Sequence, residues 1–312
     1  MTSIADIAKK AGVAKSTVSR VLNQHPYVSD QVREKVLAVM TELDYSPNQV
    51  ARDLSQGQTH KIGVVIPHTC HPYFNQLIGG LLDTAKVSDY QLVMMPSDYD
   101  QSKELGYLEQ LRTRAIDGLI FTSRAISLET IASYSKYGRI VLCEELKEQD
   151  WDLASAYLDR GSAFQATFVY LKEQSIKSPL LLFSRNSPES ATYQTALAAF
   201  RQVYGRGANP RTFGQVHNFE AGYDLVSQLL QAGSVEAILA TSDDVAAGLR
   251  QSYLERGETC PLLVGQENQL SGRLLGLPTI DHQSYHLGEL AFSQVLAREV
   301  SQKCLVSEFI ER

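Results

Sequence analysis

The chain has 312 residues and a formal net charge of −6, with 44% hydrophobic and 21% charged residues, an ordinary globular composition long enough for about two domains. No apolar run reaches the ~18 residues of a membrane span, and the opening MTSIADIAKK has no basic-then-apolar signal pattern, so a cytoplasmic protein is expected. Four cysteines (Cys70, Cys143, Cys260, Cys304) lie far apart without a C-x-x-C pair, which argues against a zinc ribbon or a thioredoxin-like site and fits free thiols. The charge is unevenly spread. Residues 1–60 hold seven Lys/Arg against six Asp/Glu, and the remainder holds 22 against 29. An N-terminal region of about +1 is a weak electrostatic footprint for nucleic acid, but the acidic charge sits elsewhere.

In chain order, Ser3-Ile4-Ala5-Asp6 is a helix start: Ser3 can accept from an orphan N–H, and Asp6 suits the positive helix end. Ile4, Ile7, Ala8 and Ala11 recur at helical spacing, and Gly12 supplies the left-handed stop. A second short helix, Lys15 to Leu22, carries Val18, Val21 and Leu22 on one side. Two short helices about a glycine turn make a helix-turn-helix, whose second helix would enter the major groove with Lys15 and Ser16 leading and Arg20 able to fork onto a guanine. Ser29 caps a third helix striped by Val32, Val36, Val39, Met40 and Leu43, which Tyr45-Ser46-Pro47-Asn48 ends. A short helical piece with Val50, Ala51 and Leu54 on one face leads to the polar linker Ser55–Thr59.

The runs IADIAKKAGVAKSTVSRVLN and YSPNQVARDLSQGQTHKIGVVIP, in that order and spacing, resemble the DNA-binding domain and hinge of the lactose-repressor (LacI/GalR) family. The resemblance implies a DNA-binding domain over 1–58 with a hinge helix at 48–57. It implies base reading by Lys15, Ser16 and Arg20, and minor-groove contact by Asn48, Ala51 and Leu54, with Leu54 as the wedge. Where the family has Ser before the recognition helix this chain has Ala14, the loss of a cap worth roughly 1 kcal/mol.

From residue 61 the pattern alternates. Strand-like runs at 62–67, 91–97, 117–123, 139–145, 179–184, 236–242 and 261–265 are separated by amphipathic helices at 74–87, 101–114, 161–174, 189–204, 220–232 and 243–256. Continuous apolar strands alternating with helices mean doubly wound parallel sheets covered on both faces, with ligands beyond the carboxyl ends of the strands. The loops there mix carboxylates, Arg185, Ser123 and aromatics, the equipment for holding a polyhydroxylated small molecule.

This region, through TSDDVAAGLRQSYLERG, GYDLVSQLL and GLPTIDHQSYHLGELAFSQVL, resembles the two-lobed, periplasmic-binding-protein-like core of the same family. The resemblance implies lobes of 61–159 plus 284–312 and of 160–283, with three crossings near 158–161, 241–243 and 281–284. It implies an effector site built from Tyr73, Phe219, Asp243 and Glu267, with Glu144 beside them. The family's R-x-x-G-F element is replaced by Tyr193-Gln194-Thr195-Ala196-Leu197, so Tyr193 stands in the Arg position and Arg185 is expected to compensate. The implied molecule is a homodimeric, cytoplasmic repressor. Its grip on double-stranded operator DNA changes when a sugar or sugar derivative closes the lobes.

Two other functions compete. A sugar-processing enzyme would use His68-x-x-His71 with Cys70, but that run is not H-E-x-x-H on a helix, and no G-x-S-x-G, P-loop or G-x-G-x-x-G is present. No catalytic residue, metal or cofactor is expected. A regulator answering to a protein corepressor would use a surface that the sequence does not mark.

Overall fold

The computed structural model describes residues 3–23, 25–46, 52–53, 57–69, 71–146, 151–184 and 190–312. The chain divides into two compact units, Met1–Thr59 and His60–Arg312.

The first unit is helical: α1 (Ile4–Ala11), α2 (Lys15–Leu22) and α3 (Asp30–Glu42). Its start is a reciprocal cap. The Asp6 N–H donates to Ser3 Oγ (3.4 Å) and the Ser3 N–H to Asp6 Oδ2 (2.9 Å). The Ser3 bonds also hold the Asp6 carboxyl below its usual range. Gly12 ends α1 at φ 64°, turning the chain so that Val18 and Val21 of α2 meet Ile7, Ala8 and Ala11 of α1 and Val36 and Val39 of α3 in one small core. Ala14 offers α2 no side-chain cap, and Ser29 stands at the N-cap of α3 without making the expected side-chain bond. Of the segment expected to form the hinge, Arg52 and Asp53 are helical, and the Gly57 N–H donates to the Asp53 carbonyl (2.8 Å). Asn48, Ala51 and Leu54 lie outside the described residues.

The second unit contains two six-stranded sheets. The first lobe comprises β1 (Lys61–Ile66), α4 (Pro72–Lys86), β2 (Gln91–Pro96), α5 (Gln101–Arg112), β3 (Gly118–Phe121), α6 (Leu128–Ala132), β4 (Arg139–Leu142) and β5 (Ala154–Asp159). The second comprises α7 (Gly161–Glu173), β6 (Leu180–Leu182), α8 (Ala191–Tyr204), β7 (Arg211–Phe213), α9 (Phe219–Gln231), β8 (Ala237–Leu239), α10 (Asp243–Glu255), β9 (Leu262–Gln266), α11 (Leu270–Leu275) and β10 (Thr279–Asp281). The chain then returns to the first lobe as α12 (Ser284–Leu296) and β11 (Gln302–Val306), and ends on the second as β12 (Glu308–Ile310).

The sheet orders are β11-β5-β4-β3-β1-β2, wholly parallel, and β12-β10-β9-β8-β6-β7, parallel except for the antiparallel edge pair β10–β12. Alternate residues feed opposite cores, as the pleat requires: Val64 packs with Leu77, Leu81 and Phe292, and Val65 with Leu108, Leu111 and Phe121.

The lobe boundaries differ from expectation at two places. β8 and α10 belong to one lobe, so 241–243 is not a crossing. The third crossing is at Ser307, between β11 and β12, so the last strand joins the second sheet. Short, solvent-facing β11 and β12 carry little of the apolar continuity that reveals a buried strand. No helix among the described residues is long and apolar enough to cross a membrane.

The helices α4 and α12 pack through glycines. A Cβ on Gly288 would lie 2.1 Å from the Leu77 carbonyl oxygen, and one on Gly80 would lie 1.9 Å from that of Tyr285. These obstacles are backbone atoms, so the helices would have to separate. Gly288→Ala should therefore destabilise the core by about 1–3 kcal/mol, the usual range for overpacking, in urea unfolding followed by circular dichroism. An unchanged midpoint would show that the contact yields.

Candidate functional site

The helical unit presents one polar face. On α2, Val18 and Val21 are buried, whereas Lys15, Ser16, Ser19 and Arg20 are exposed at the i, i+1, i+4, i+5 spacing of a single helix face. The three expected base-reading residues are thus brought together, and Ser19 joins them. Its helical phase relative to Ser16 was the signal that could have included it.

In the second unit a cavity of about 890 Å³ lies between the lobes, at the carboxyl ends of the central strands. The first lobe contributes His68, His71, Tyr73, Tyr99, Ser123, Arg124, Glu144 and Tyr157, among others. The second contributes Arg160, residues 190–192 of the α8 start, Gln194, Thr241, Gln266, Glu267 and His282. Of the expected effector residues, Tyr73, Ser123, Glu144 and Glu267 line the cavity.

Three other expected effector residues, Asp243, Tyr193 and Phe219, do not line it. Asp243 is fully buried, with Oδ1 accepting from the Thr279 hydroxyl (2.6 Å) and Oδ2 from the Gln269 N–H (2.6 Å). Burial pushes its carboxyl up to about 6. It ties β10 and the loop before α11 to α10, while Ser242, one residue earlier, caps that helix through the Val245 N–H (3.2 Å). Tyr193 turns to the second lobe's core, its ring 4.8 Å from that of Phe183, because the inward face of α8 falls on its neighbours. Phe219 opens α9, is 39% exposed and loosely stacks on Tyr223 (6.5 Å). Arg185 lies outside the described residues, as does Cys70.

Several site residues were not anticipated. His71 caps α4: its Nδ1 accepts from the Tyr73 N–H (3.2 Å), which leaves Nε2 to carry the proton and donate across the cleft to the Thr241 carbonyl (3.1 Å). Burial pushes His71 down to about 4, in keeping with a neutral ring. Both ring nitrogens are thereby used, so His71 is not available as a metal ligand, and the described residues contain no cluster of three or more such ligands. A second bond across the cleft runs from Gln76 Nε2 to the Glu267 carbonyl (2.7 Å).

Below these lies a polar floor. Gln266 donates to the Ala240 carbonyl (2.6 Å) and accepts from His282 Nε2 (2.9 Å), whose Nδ1 faces the Ser307 hydroxyl (2.9 Å). With Gln266 Oε1 as acceptor, His282 is the Nε2–H tautomer, held neutral by burial. The loop after β3 is also fixed from beneath. The buried Glu104 carboxylate accepts from the Ala125 N–H (2.8 Å) and the Ile126 N–H (3.1 Å), which positions Ser123 and Arg124. Arg124 in turn pairs with Glu144.

Glu267 is the most constrained of these residues. Its φ is +78°, a value that side chains rarely adopt. Its N–H donates to the Ile280 carbonyl (2.7 Å), and its Oε2 accepts from the Ser284 hydroxyl (2.7 Å). Burial pushes the carboxyl up to about 7. A carboxyl raised on folding contributes stability that is complete below its unfolded value near 4.5 and is lost as pH rises through about 7. Glu267→Gln should match the wild type near pH 4.5 and exceed it by up to about 3 kcal/mol at pH 8 in urea unfolding of the core. For the depressed His71 the sign reverses: wild type loses stability relative to His71→Gln as pH falls from 6.5 toward 4. Parallel pH profiles would show that neither group is buried in this way.

Comparison with known proteins agrees with both units. Residues 3–48 match the family "Bacterial regulatory proteins, lacI family", and residues 59–308 match "Periplasmic binding proteins and sugar binding domain of LacI family". The chain is 37% identical over 300 residues to catabolite control protein B of Bacillus subtilis (strain 168), covering 96% of each. Among solved structures, the lac repressor dimer bound to operator and the anti-inducer ONPF superposes with a TM-score of 0.78 at 22% identity, covering 100% of this chain and 98% of that one. A LacI-family regulator from Enterococcus faecium with bound ribose gives 0.67 at 20% identity, covering 81% and 97%. The relatives are transcriptional regulators, and from its residues 3–48 and 59–308 this chain belongs to the LacI family of bacterial regulatory proteins.

Proposed function

We propose that the chain is a homodimeric repressor of transcription in the cytoplasm, not an enzyme, and that a sugar or sugar derivative in the interlobe cavity controls its hold on operator DNA. One observation carries this reading. A single chain joins a helix with an exposed Lys15–Ser16–Ser19–Arg20 face to a core whose 890 Å³ cleft is lined by hydroxyls, carboxamides, carboxylates and aromatic rings of two lobes. Polar groups on both walls and flat rings for C–H faces suit a polyhydroxylated ligand. The operator and the ribose in the structures of similar proteins support the same assignment.

Dimerisation is supported by apolar side chains that a monomer would leave in water. Leu254 on α10 and Leu270 and Leu274 on α11 are 71%, 66% and 76% exposed. Two such subunits add two half-site contacts.

The decisive experiment selects genomic fragments with the full chain and measures binding to the selected duplex by fluorescence anisotropy, with and without a panel of sugars. The expected result is a specific duplex whose affinity at least one sugar changes by tenfold or more; selection of no sequence, or indifference to every panel member, sinks the reading. Arg20→Ala should weaken operator binding by about 1–3 kcal/mol while leaving random-duplex binding nearly unchanged. Equal losses on both duplexes would reduce Arg20 to a phosphate contact. Leu274→Asp should shift the protein from dimer to monomer in sedimentation velocity, and a persistent dimer would place the interface elsewhere.

A further inference from the structure

The cavity holds a cation, Arg160, whose side chain makes no hydrogen bond or ion pair among the described residues. Arg160 is the first residue after β5, at the first crossing between lobes, and lines the cleft. Its backbone is anchored: its carbonyl accepts from the Phe164 N–H (3.0 Å), and the neighbouring Gly161 N–H donates to Asp159 Oδ1 (2.9 Å). Its guanidinium lies 5.8 Å from the centroid of the Tyr73 ring, a cation–π contact that can hold the plane while leaving its N–H edge to the cavity. Among the described residues, Arg160 donates no hydrogen bond to any acceptor.

The other charged groups of the cleft have partners of their own. Arg124 is engaged by Glu144 and by the Ile126 carbonyl (2.7 Å). Glu145 is also engaged within the protein. Glu267 accepts from Ser284 and feels the Arg160 charge, but its burial, the larger effect, draws it toward the neutral acid near neutral pH. His71 and His282 are held as neutral rings. A polyhydroxylated ligand without charge would satisfy some of Arg160's five donors but leave its charge facing only the Glu267 carboxyl, which burial draws toward the neutral form. A phosphate or carboxylate would satisfy both through a bidentate pair.

We propose that Arg160 is the specificity-determining residue of the cavity, and that it selects an anionic carbohydrate, a polyhydroxylated frame bearing a phosphate or a carboxylate. The inference rests on the effector-gated reading above and names the effector's class.

The test is isothermal titration calorimetry on the full chain at pH 7.5 with glucose, glucose 6-phosphate, glucuronate, ribose and ribose 5-phosphate, and with inorganic phosphate alone. At least one anionic sugar should bind about 10- to 100-fold more tightly than its neutral parent, the range expected of a charge-assisted pair. Arg160→Gln, checked for an unchanged thermal melt, should erase that advantage while the parent's affinity stays within about threefold. Arg160→Lys should restore part of it. The phosphate and carboxylate arms show which anion is preferred. Equal binding of parent and anion, equal losses of both in Arg160→Gln, no binding of any anionic sugar, or inorganic phosphate binding as tightly as the sugar phosphates would each overturn the assignment. If glucose or ribose alone binds and alters operator affinity, the Arg160 inference falls and the effector-gated reading stands. Indifference of the operator complex to every sugar overturns that reading instead.

Discussion

The chain passes between the two lobes three times, and the buried network Gln266–His282–Ser307 ties two of those passages together. His282 precedes α12 at the second crossing, Ser307 is the third, and Gln266 ends the strand beside them. The Ser307 N–H donates to the Asp159 carbonyl at the first (2.8 Å), so the three segments form one polar joint under the cavity. Each member has its partners within the protein, a condition under which a buried polar cluster specifies a geometry instead of weakening the core. A neutral His282 is central, because it must donate to Gln266 while its other nitrogen faces a hydroxyl. A protonated ring would present two donors and bury a charge.

From that joint the rest of the cleft follows. β5 hands the chain to Arg160, and β9 hands it to Glu267, so residues from both lobes converge on the cavity directly above the crossings. The bonds His71–Thr241 and Gln76–Glu267 close the cleft from the side of α4. Bonds confined to each lobe do not depend on its opening, whereas these two do. A ligand that prefers one separation of the lobes therefore works against or with hydrogen bonds such as these, each of modest net worth at about 1 kcal/mol. Bonds of that worth are within the reach of a small molecule's binding energy.

Part of the backbone strain falls in the same region. Glu267 at positive φ is buried where β9 meets the cavity, and its neighbour Asn268 also has positive φ, 44°. The surrounding bonds from Ser284, Gln76 and Ile280 over-determine that conformation, as a strained position requires if it is to persist. By contrast, the lobe cores are regular. Alternate residues of each buried strand pack on opposite helical layers, and glycines set the close approach of α4 and α12.

What the sequence determined by itself was local and periodic. Gly12 as a left-handed stop, the Ser3–Asp6 cap, the apolar runs of the central strands and the phase of Lys15, Ser16 and Arg20 are readable because each depends on residues within a turn or two of one another. Family resemblance carried Tyr73, Glu144 and Glu267 to the cavity for a related reason, since their places at strand ends or the first helix turn are tied to neighbouring motifs. Tertiary structure alone decided the rest. It turned Tyr193 into the core and left Gln194 at the cavity, one helical step apart. It made Asp243 an internal tie, moved the third crossing to Ser307 and brought Arg160 over Tyr73, residues 87 positions apart. These outcomes depend on which groups meet across crossings between distant segments, and no periodicity within either segment encodes that meeting.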